Sequence, residues 1–129
     1  MSDRFNFEVI SPDKTIIKTE VDQVTLPGFE GLMTLLKDHI PIVTFLRPGI
    51  IEAEINSKNE KFYVEEGTVE FSNNNLLVLS STIKNIDNIT KDEANKMIES
   101  AKKAIASGDI KDKERYVLSY KIETLQEIN

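Results

Sequence analysis

The spacing of apolar residues changes near residue 86, and this change constrains the fold more than any other feature of the chain. Before that point, short apolar stretches alternate with turn signals such as Pro27-Gly28. Phe5, Phe7 and Val9 lie two residues apart, which is the spacing of a strand with one buried face. Short strands separated by frequent turns are typical of all-β sandwiches. We therefore predict that residues 1–86 form a flattened β-sandwich or barrel of about ten strands.

From residue 87 onward the spacing becomes helical. Thr90 and Glu93 have the three-residue separation of a helix capping box. The apolar residues that follow form one helical stripe, namely Ala94, Met97, Ile98, Ala101 and Ile105. Gly108 suits a left-handed helix stop, and Asp109 can cap a second helix. We predict an antiparallel two-helix hairpin over residues 87–129, with Asn85–Ile89 as a hinge.

Composition excludes several classes of function. The chain has 129 residues, enough to bury a core without disulfides or metals. Its net charge of −6 argues against binding to nucleic acid or to an anionic lipid surface. It has no cysteine, which excludes disulfides and thiolate chemistry. No apolar run approaches the length of a membrane span, so we expect a protein without direct lipid insertion.

The residues needed for catalysis are not found in a recognisable arrangement. His39 is the only histidine, and no nucleophile motif accompanies it. The five glycines are not spaced as a phosphate-binding loop. Close carboxylate pairs such as Glu52 with Glu54 are more typical of solvated strand edges than of acid–base pairs. We predict that the chain is not an enzyme and has no metal or cofactor site.

The stretch from Leu26 to Gly49 carries the most information about function. It holds three of the four prolines and three of the five glycines, a pattern that favours loops of defined shape at one end of a sandwich. Its order of Leu-Pro-Gly, Glu-Gly, His-x-Pro and Leu-x-Pro-Gly resembles the epsilon subunit of bacterial F-type ATP synthases. The resemblance extends upstream to residues 7–12 and downstream to residues 67–79, and the two-part layout also fits.

This resemblance implies a rotor component of the central stalk. In that family the sandwich binds the gamma subunit and rests on the polar loops of the c-ring, at the cytoplasmic face of the bacterial plasma membrane. The helical hairpin can extend toward the alpha/beta head and inhibit ATP hydrolysis. By position, the loops facing the c-ring would contain Phe29, Glu30, Gly31 and Leu32, together with Lys37, Asp38 and His39 at the same end. The residues expected to meet the head are basic, namely Lys111, Lys113, Arg115 and Lys121.

The chain also departs from the family pattern. Leu32 stands where many members have an acidic or polar residue, so the ring contact is expected to be more apolar. Some members bind ATP through an Ile/Leu-Asp-x-x-Arg-Ala segment, which corresponds to Ile89–Ala94 in this chain. The aspartate and the arginine are both replaced, and Glu93 would repel phosphate. We therefore expect no tight nucleotide site. A stand-alone sandwich that binds a peptide or a sugar is the alternative function, although the chain lacks the tryptophan that sugar sites often use.

Overall fold

The computed structural model describes residues 3–128, in which a curled ten-stranded sheet is followed by two helices. This confirms the predicted β-sandwich and C-terminal helical hairpin. The strands are β1 (Phe5–Ile10), β2 (Thr15–Val21), β3 (Gln23–Gly28), β4 (Gly31–Leu35), β5 (Ile42–Leu46), β6 (Gly49–Ile55), β7 (Lys58–Val64), β8 (Gly67–Ser72), β9 (Asn75–Leu79) and β10 (Lys84–Asn85). The helices are α1 (Lys91–Ala106) and α2 (Asp112–Ile128).

The sheet follows the strand order β10-β7-β6-β3-β5-β8-β9-β1-β2, and β4 pairs with β3 outside this path. β1 lies between β2, to which it is antiparallel, and β9, to which it is parallel. The sheet curls until β2 contacts β6, so that the two halves enclose a single core. Alternate residues of each strand point into this core, as expected for a sheet with one buried face.

Large apolar side chains fill the interior of the sandwich. Phe7 and Phe71 are each 1% exposed, and the ring of Phe5 meets that of Phe71 edge-on at 5.4 Å. Strands β3 and β6 also approach each other closely at one end of the sandwich. A Cβ atom on Gly49 would lie 2.4 Å from the Cβ of Pro27, so this position accommodates only glycine.

The first helix begins and ends as its sequence predicts. The Thr90 side chain accepts a hydrogen bond from the backbone N–H of Glu93, and the Glu93 side chain accepts one from the backbone of Thr90. This confirms the capping box. Gly108 has a φ of +71°, and its N–H donates to the Ile105 carbonyl. Within the described chain, the buried residues of α1 are Ala94, Ile98 and Ala101, all from the predicted stripe.

The start of α2 differs from the prediction. The helix begins at Asp112, so Asp109 is not its cap. Residues 109–111 instead span the connection between two antiparallel helices. Asp112 and Glu114 place negative charge in the first turn of α2, where it favours the helix dipole.

The segment between sandwich and hairpin is fastened at its upstream end. The Ser80 hydroxyl donates to the Glu66 carbonyl at 2.6 Å, and the Thr82 hydroxyl accepts from the N–H of Glu65 at 3.0 Å. A single 3-10 turn, Ile86–Asn88, then leads into α1. The predicted hinge at Asn85–Ile89 therefore lies downstream of these bonds, and its movement stays a prediction.

Candidate functional site

An exposed apolar surface covers the outside of β5 and β9. Val43 is 66% exposed and Phe45 is 60% exposed, and both point away from the core. Phe45 pairs with Thr68, which in turn pairs with Leu79, itself 44% exposed. Ile40, 74% exposed, lies just before β5. We call these four apolar residues, Ile40, Val43, Phe45 and Leu79, the outer face.

Exposed apolar residues grouped on one face of a soluble protein mark interaction sites, and here Thr68 and Glu70 of β8 lie between the apolar residues of β5 and β9. The outer face was not predicted from the sequence, although the sequence does indicate that both faces of β5 are apolar. The strand Ile42–Leu46 is apolar in both phases of its alternation, whereas a strand with one solvated face places polar residues on that face.

The turn between β3 and β4 holds the first predicted loop, Phe29–Leu32. Gly31 has a φ of +132°, a conformation that side chains other than glycine rarely adopt. The Phe29 N–H donates to the Phe45 carbonyl at 3.0 Å, which ties the turn to β5. Glu30 and Gly31 are exposed and Leu32 is 69% exposed. The tip of this turn therefore presents an apolar side chain beside a carboxylate.

The second predicted loop, Lys37–His39, lies elsewhere. Gly31 and Leu35 are at the two ends of β4, so the Lys37–His39 corner and the Phe29–Leu32 turn are at opposite ends of that strand. The expectation that both loops share one end is wrong, because the antiparallel strand β4 separates them by about 13 Å or more.

The corner is held by its own hydrogen bonds. The Asp38 N–H donates to Asn74 Oδ1 at 2.7 Å, and Asn74 Nδ2 donates to Asp38 Oδ1 at 2.9 Å. His39 Nδ1 donates to the Ile40 carbonyl at 2.7 Å, and its ring meets the edge of Phe71 at 6.0 Å. His39 therefore stabilises a turn beside the outer face.

The hairpin is docked on the sandwich, and one ion pair joins α2 to the end of β7. Lys121 Nζ lies 3.2 Å from Glu65 Oε2. The Tyr63 hydroxyl donates to the same carboxylate oxygen at 2.9 Å. Burial raises the pKa of Tyr63 well above its ordinary value, and the negative charge of Glu65 raises the pKa further. The ion pair lies at the edge of an apolar cluster formed by Tyr63, Ile89, Ala94, Ile98 and Leu125.

A series of contacting aromatic rings attaches the first half of α2 to the sandwich. Tyr116 stacks on Phe29 at 5.6 Å, and its hydroxyl donates to the Phe29 carbonyl at 2.6 Å. Tyr120 meets Tyr116 at 4.9 Å, and the Arg47 guanidinium lies 3.8 Å from the centre of the Tyr120 ring. Lys113 Nζ is 5.7 Å from the Phe29 ring. These contacts combine stacking with cation–π attraction.

The four basic residues predicted to meet the alpha/beta head have different environments. Lys111, Lys113 and Arg115 are exposed near the start of α2. Lys121 lies two turns further along, half-buried and paired with Glu65. The docked hairpin therefore leaves only the first three open to solvent.

Three further features bear on what the described residues can bind or cross. Among residues 3–128, no group of three or more histidine or acidic side chains is arranged to hold a metal ion. A groove of about 230 Å³ runs between α2 and the sandwich, lined in part by Arg47, Tyr120 and Glu52. Neither of the two described helices has the length and apolar character required to cross a membrane.

Comparisons with known proteins agree with this architecture. Residues 4–86 match the family model of the ATP synthase delta/epsilon chain β-sandwich domain. The chain is 43% identical, over the full length of both proteins, to an ATP synthase epsilon chain of Pelagibacter ubique. It is 33% identical to an epsilon chain of Allorhizobium ampelinum, over 79% of this chain and 76% of that relative.

Solved structures show the same fold at low sequence identity. A chain of the Euglena gracilis mitochondrial ATP synthase superposes with a TM-score of 0.77 at 19% identity, over 98% of this chain and 79% of the other. A chain from the central stalk and c-ring structure of the Tetrahymena thermophila enzyme gives a TM-score of 0.65 at 12% identity, over 95% and 93%. On the match to its strands and the full-length identity to a bacterial relative, the chain belongs to the family of ATP synthase epsilon chains.

Proposed function

We propose that this chain is a central-stalk subunit of a bacterial F-type ATP synthase. In this role it couples proton flow through the c-ring to ATP synthesis, and its helical hairpin regulates ATP hydrolysis. Epsilon-chain relatives that align over its whole length support this assignment, and the Tetrahymena neighbour comes from a central stalk. These relatives do not favour the alternative of a stand-alone peptide- or sugar-binding module.

The outer face is the single observation that carries the proposal. Val43 and Phe45 are large apolar side chains whose exposure is costly unless a partner covers them. Their strand is rigidly paired with β8, as a surface that transmits torque requires. We assign this face to the gamma subunit.

The contact with the c-ring is assigned to the Phe29–Leu32 turn alone. Its exposed tip can meet the polar loops of the ring through Glu30 and Leu32. The Lys37–His39 corner lies at the other end of β4 and borders Ile40, so we place it with the gamma-facing surface.

The remaining assignments follow from this arrangement. Residues 1–86 act as the sandwich domain, and residues 87–129 act as the regulatory hairpin. Lys111, Lys113 and Arg115 are available to the alpha/beta head, and Lys121 joins them when its pairing with Glu65 is broken. The subunit is non-catalytic and works at the cytoplasmic face of the bacterial plasma membrane.

The hairpin is not expected to bind nucleotide tightly. The Glu93 carboxylate accepts hydrogen bonds from Lys84 and Thr90, at the position where some family members have an arginine that can bind phosphate. Isothermal titration of the full chain with ATP should give no heat of binding at micromolar concentration. A dissociation constant in the micromolar range would contradict this assignment.

Co-purification tests the function directly. A tagged chain is expected to recover the gamma subunit and the alpha/beta head from detergent-solubilised membranes. Phe45→Glu should reduce this recovery at least about tenfold, because it places a charge in an apolar interface. Ser100→Glu adds the same charge to the exposed side of α1 and should leave recovery unchanged. A tagged chain that elutes alone from membranes containing intact synthase would overturn the proposal.

A further inference from the structure

Tyr116 gives α2 a direct hold on the β3–β4 turn. Its hydroxyl donates to the carbonyl of Phe29 at 2.6 Å, and its ring lies nearly parallel to that of Phe29, at an interplanar angle of 13°. The backbone N–H of Phe29 donates to the Phe45 carbonyl of β5. The backbone of Phe29 is therefore fixed by β5 and by the docked helix together.

The tip of the turn is free while the helix is docked. Glu30 and Gly31 are exposed, and apart from the two chain neighbours no described residue has an atom within 4 Å of the position that a Cβ on Gly31 would take. Leu32 is 69% exposed and also lines the groove between the sandwich and α2. A partner can contact Glu30 and Gly31 without displacing Tyr116 from Phe29, since Tyr116 bonds the carbonyl of Phe29.

We propose that docking of α2 and binding of a partner at the Glu30–Leu32 tip are positively coupled through Tyr116. The two-residue turn Phe29–Glu30, flanked by Gly28 and Gly31, has conformational freedom to lose when it binds a partner. The docked helix has already removed part of that freedom, so a partner that meets the ordered turn loses less entropy on binding. By reciprocity, the bound partner stabilises the docked hairpin by the same factor.

The identity of the partner rests on the proposed function, in which the c-ring occupies the tip. The coupling between the helix and the turn is a property of this chain alone. The docked state of the hairpin therefore depends on ring contact. In a subunit bound to the ring, the hairpin should be more stably docked on the sandwich than in a subunit free in solution.

Amide hydrogen exchange on the full-length chain tests the coupling without a partner. Tyr116→Phe removes the hydrogen bond to Phe29 and keeps the ring. The amides of Glu30 and Gly31 should then exchange about fivefold faster, the effect of losing one ordinary hydrogen bond. Tyr120→Phe is the matched control, because it makes the same change one turn along α2, where residues 3–128 provide no hydrogen-bond partner for the hydroxyl.

Two results would contradict the coupling. Unchanged turn exchange in Tyr116→Phe overturns the inference. An equal acceleration in both variants also overturns it, since the turn would then be responding to general loosening of α2.

A second arm uses the detergent-solubilised c-ring as the partner. The ring should slow amide exchange in α2 of the unmodified chain, and slow it less in Tyr116→Phe. Faster exchange in α2 on ring binding would overturn the positive sign of the coupling. A ring that does not bind at all counts against the proposed function, and the first arm still decides the coupling.

Discussion

The sandwich and the hairpin of this chain are stabilised in different ways. The sandwich buries its large side chains in its own interior, and seven of the ten described strands are hydrogen-bonded to neighbours on both sides. The hairpin contributes Ala94, Ile98 and Leu125 to an apolar cluster that includes Tyr63 of the sandwich. Because the sandwich has a separate core of its own, we predict that the hairpin can be released without unfolding the sandwich.

The largest effect is expected inside the sandwich. Phe71→Ala removes a ring that is 1% exposed and contacts Phe5, so the free energy of unfolding should fall by about 3–5 kcal/mol. Glu70→Ala, at the exposed neighbouring position, should change it by less than about 0.5 kcal/mol. Denaturant unfolding followed by circular dichroism measures both. A loss below about 1 kcal/mol for Phe71→Ala would contradict the internal core described above.

The second effect should be confined to the hairpin. Leu125 is fully buried against the sandwich, and Leu125→Ala should weaken docking by about 2–3 kcal/mol. Amide exchange in α1 and α2 should accelerate while that of β8 and β9 stays unchanged, and Gln126→Ala should affect neither. Equal acceleration in helices and strands would mean that the two regions unfold as one unit.

A third, smaller effect appears at alkaline pH. The pKa of Tyr63 is raised, so the folded state favours the protonated phenol. Its contribution to stability is complete below the unfolded pKa of about 10 and is lost as pH rises above that value.

The matched comparison is Tyr63→Phe, which keeps the ring and has no phenol to ionise. The native chain should lose stability relative to the variant by at most about 1.4 kcal/mol per pH unit. Thermal unfolding at pH 9 and pH 11 measures the difference, and parallel curves for the two proteins would refute it.

The smallest effect is at the start of α1. Hydrogen bonding from Lys84 lowers the pKa of Glu93, and a hydrogen bond with the Thr90 backbone lowers it further. The contribution of this carboxylate is present above the unfolded pKa of about 4.3 and is lost as pH falls through the lower folded pKa. At low pH the amides of α1 should lose protection from exchange. Glu93→Gln should remove this pH dependence, and Glu99→Gln should retain it. Identical acid profiles for the two variants would count against this role of Glu93.

Much of this fold could be predicted because its signals are local. The strand alternation at Phe5, Phe7 and Val9 and the capping box at Thr90 each depend on residues that are close in sequence. The resemblance to epsilon subunits was also carried by short motifs at fixed spacing, and the family match confirms it.

The features that could not be predicted from the sequence concern how loops and faces are arranged in space. The Phe29–Leu32 and Lys37–His39 loops are close in sequence, but the strand between them carries the chain to the other end of the sandwich. The sequence could not predict that Val43 and Phe45 are exposed. A strand that is apolar on both faces has the same pattern whether its second face is covered by the chain itself or by a partner. The ring contacts from Phe29 to Arg47 join two loops that are separated in sequence by adding side chains of α2, and no periodic pattern encodes such a contact.

The parallel pairing of β1 with β9 sets an order of assembly during translation. β1 and β2 leave the ribosome first and can form their own hairpin, but the neighbour of β1 in the sheet is made only when Asn75–Leu79 emerges. Contacts between segments so far apart in sequence slow folding. The N-terminal hairpin therefore waits with one edge unpaired through most of synthesis, and the polar Asn6, Glu8 and Lys18 on its outer side lower its tendency to aggregate during that time.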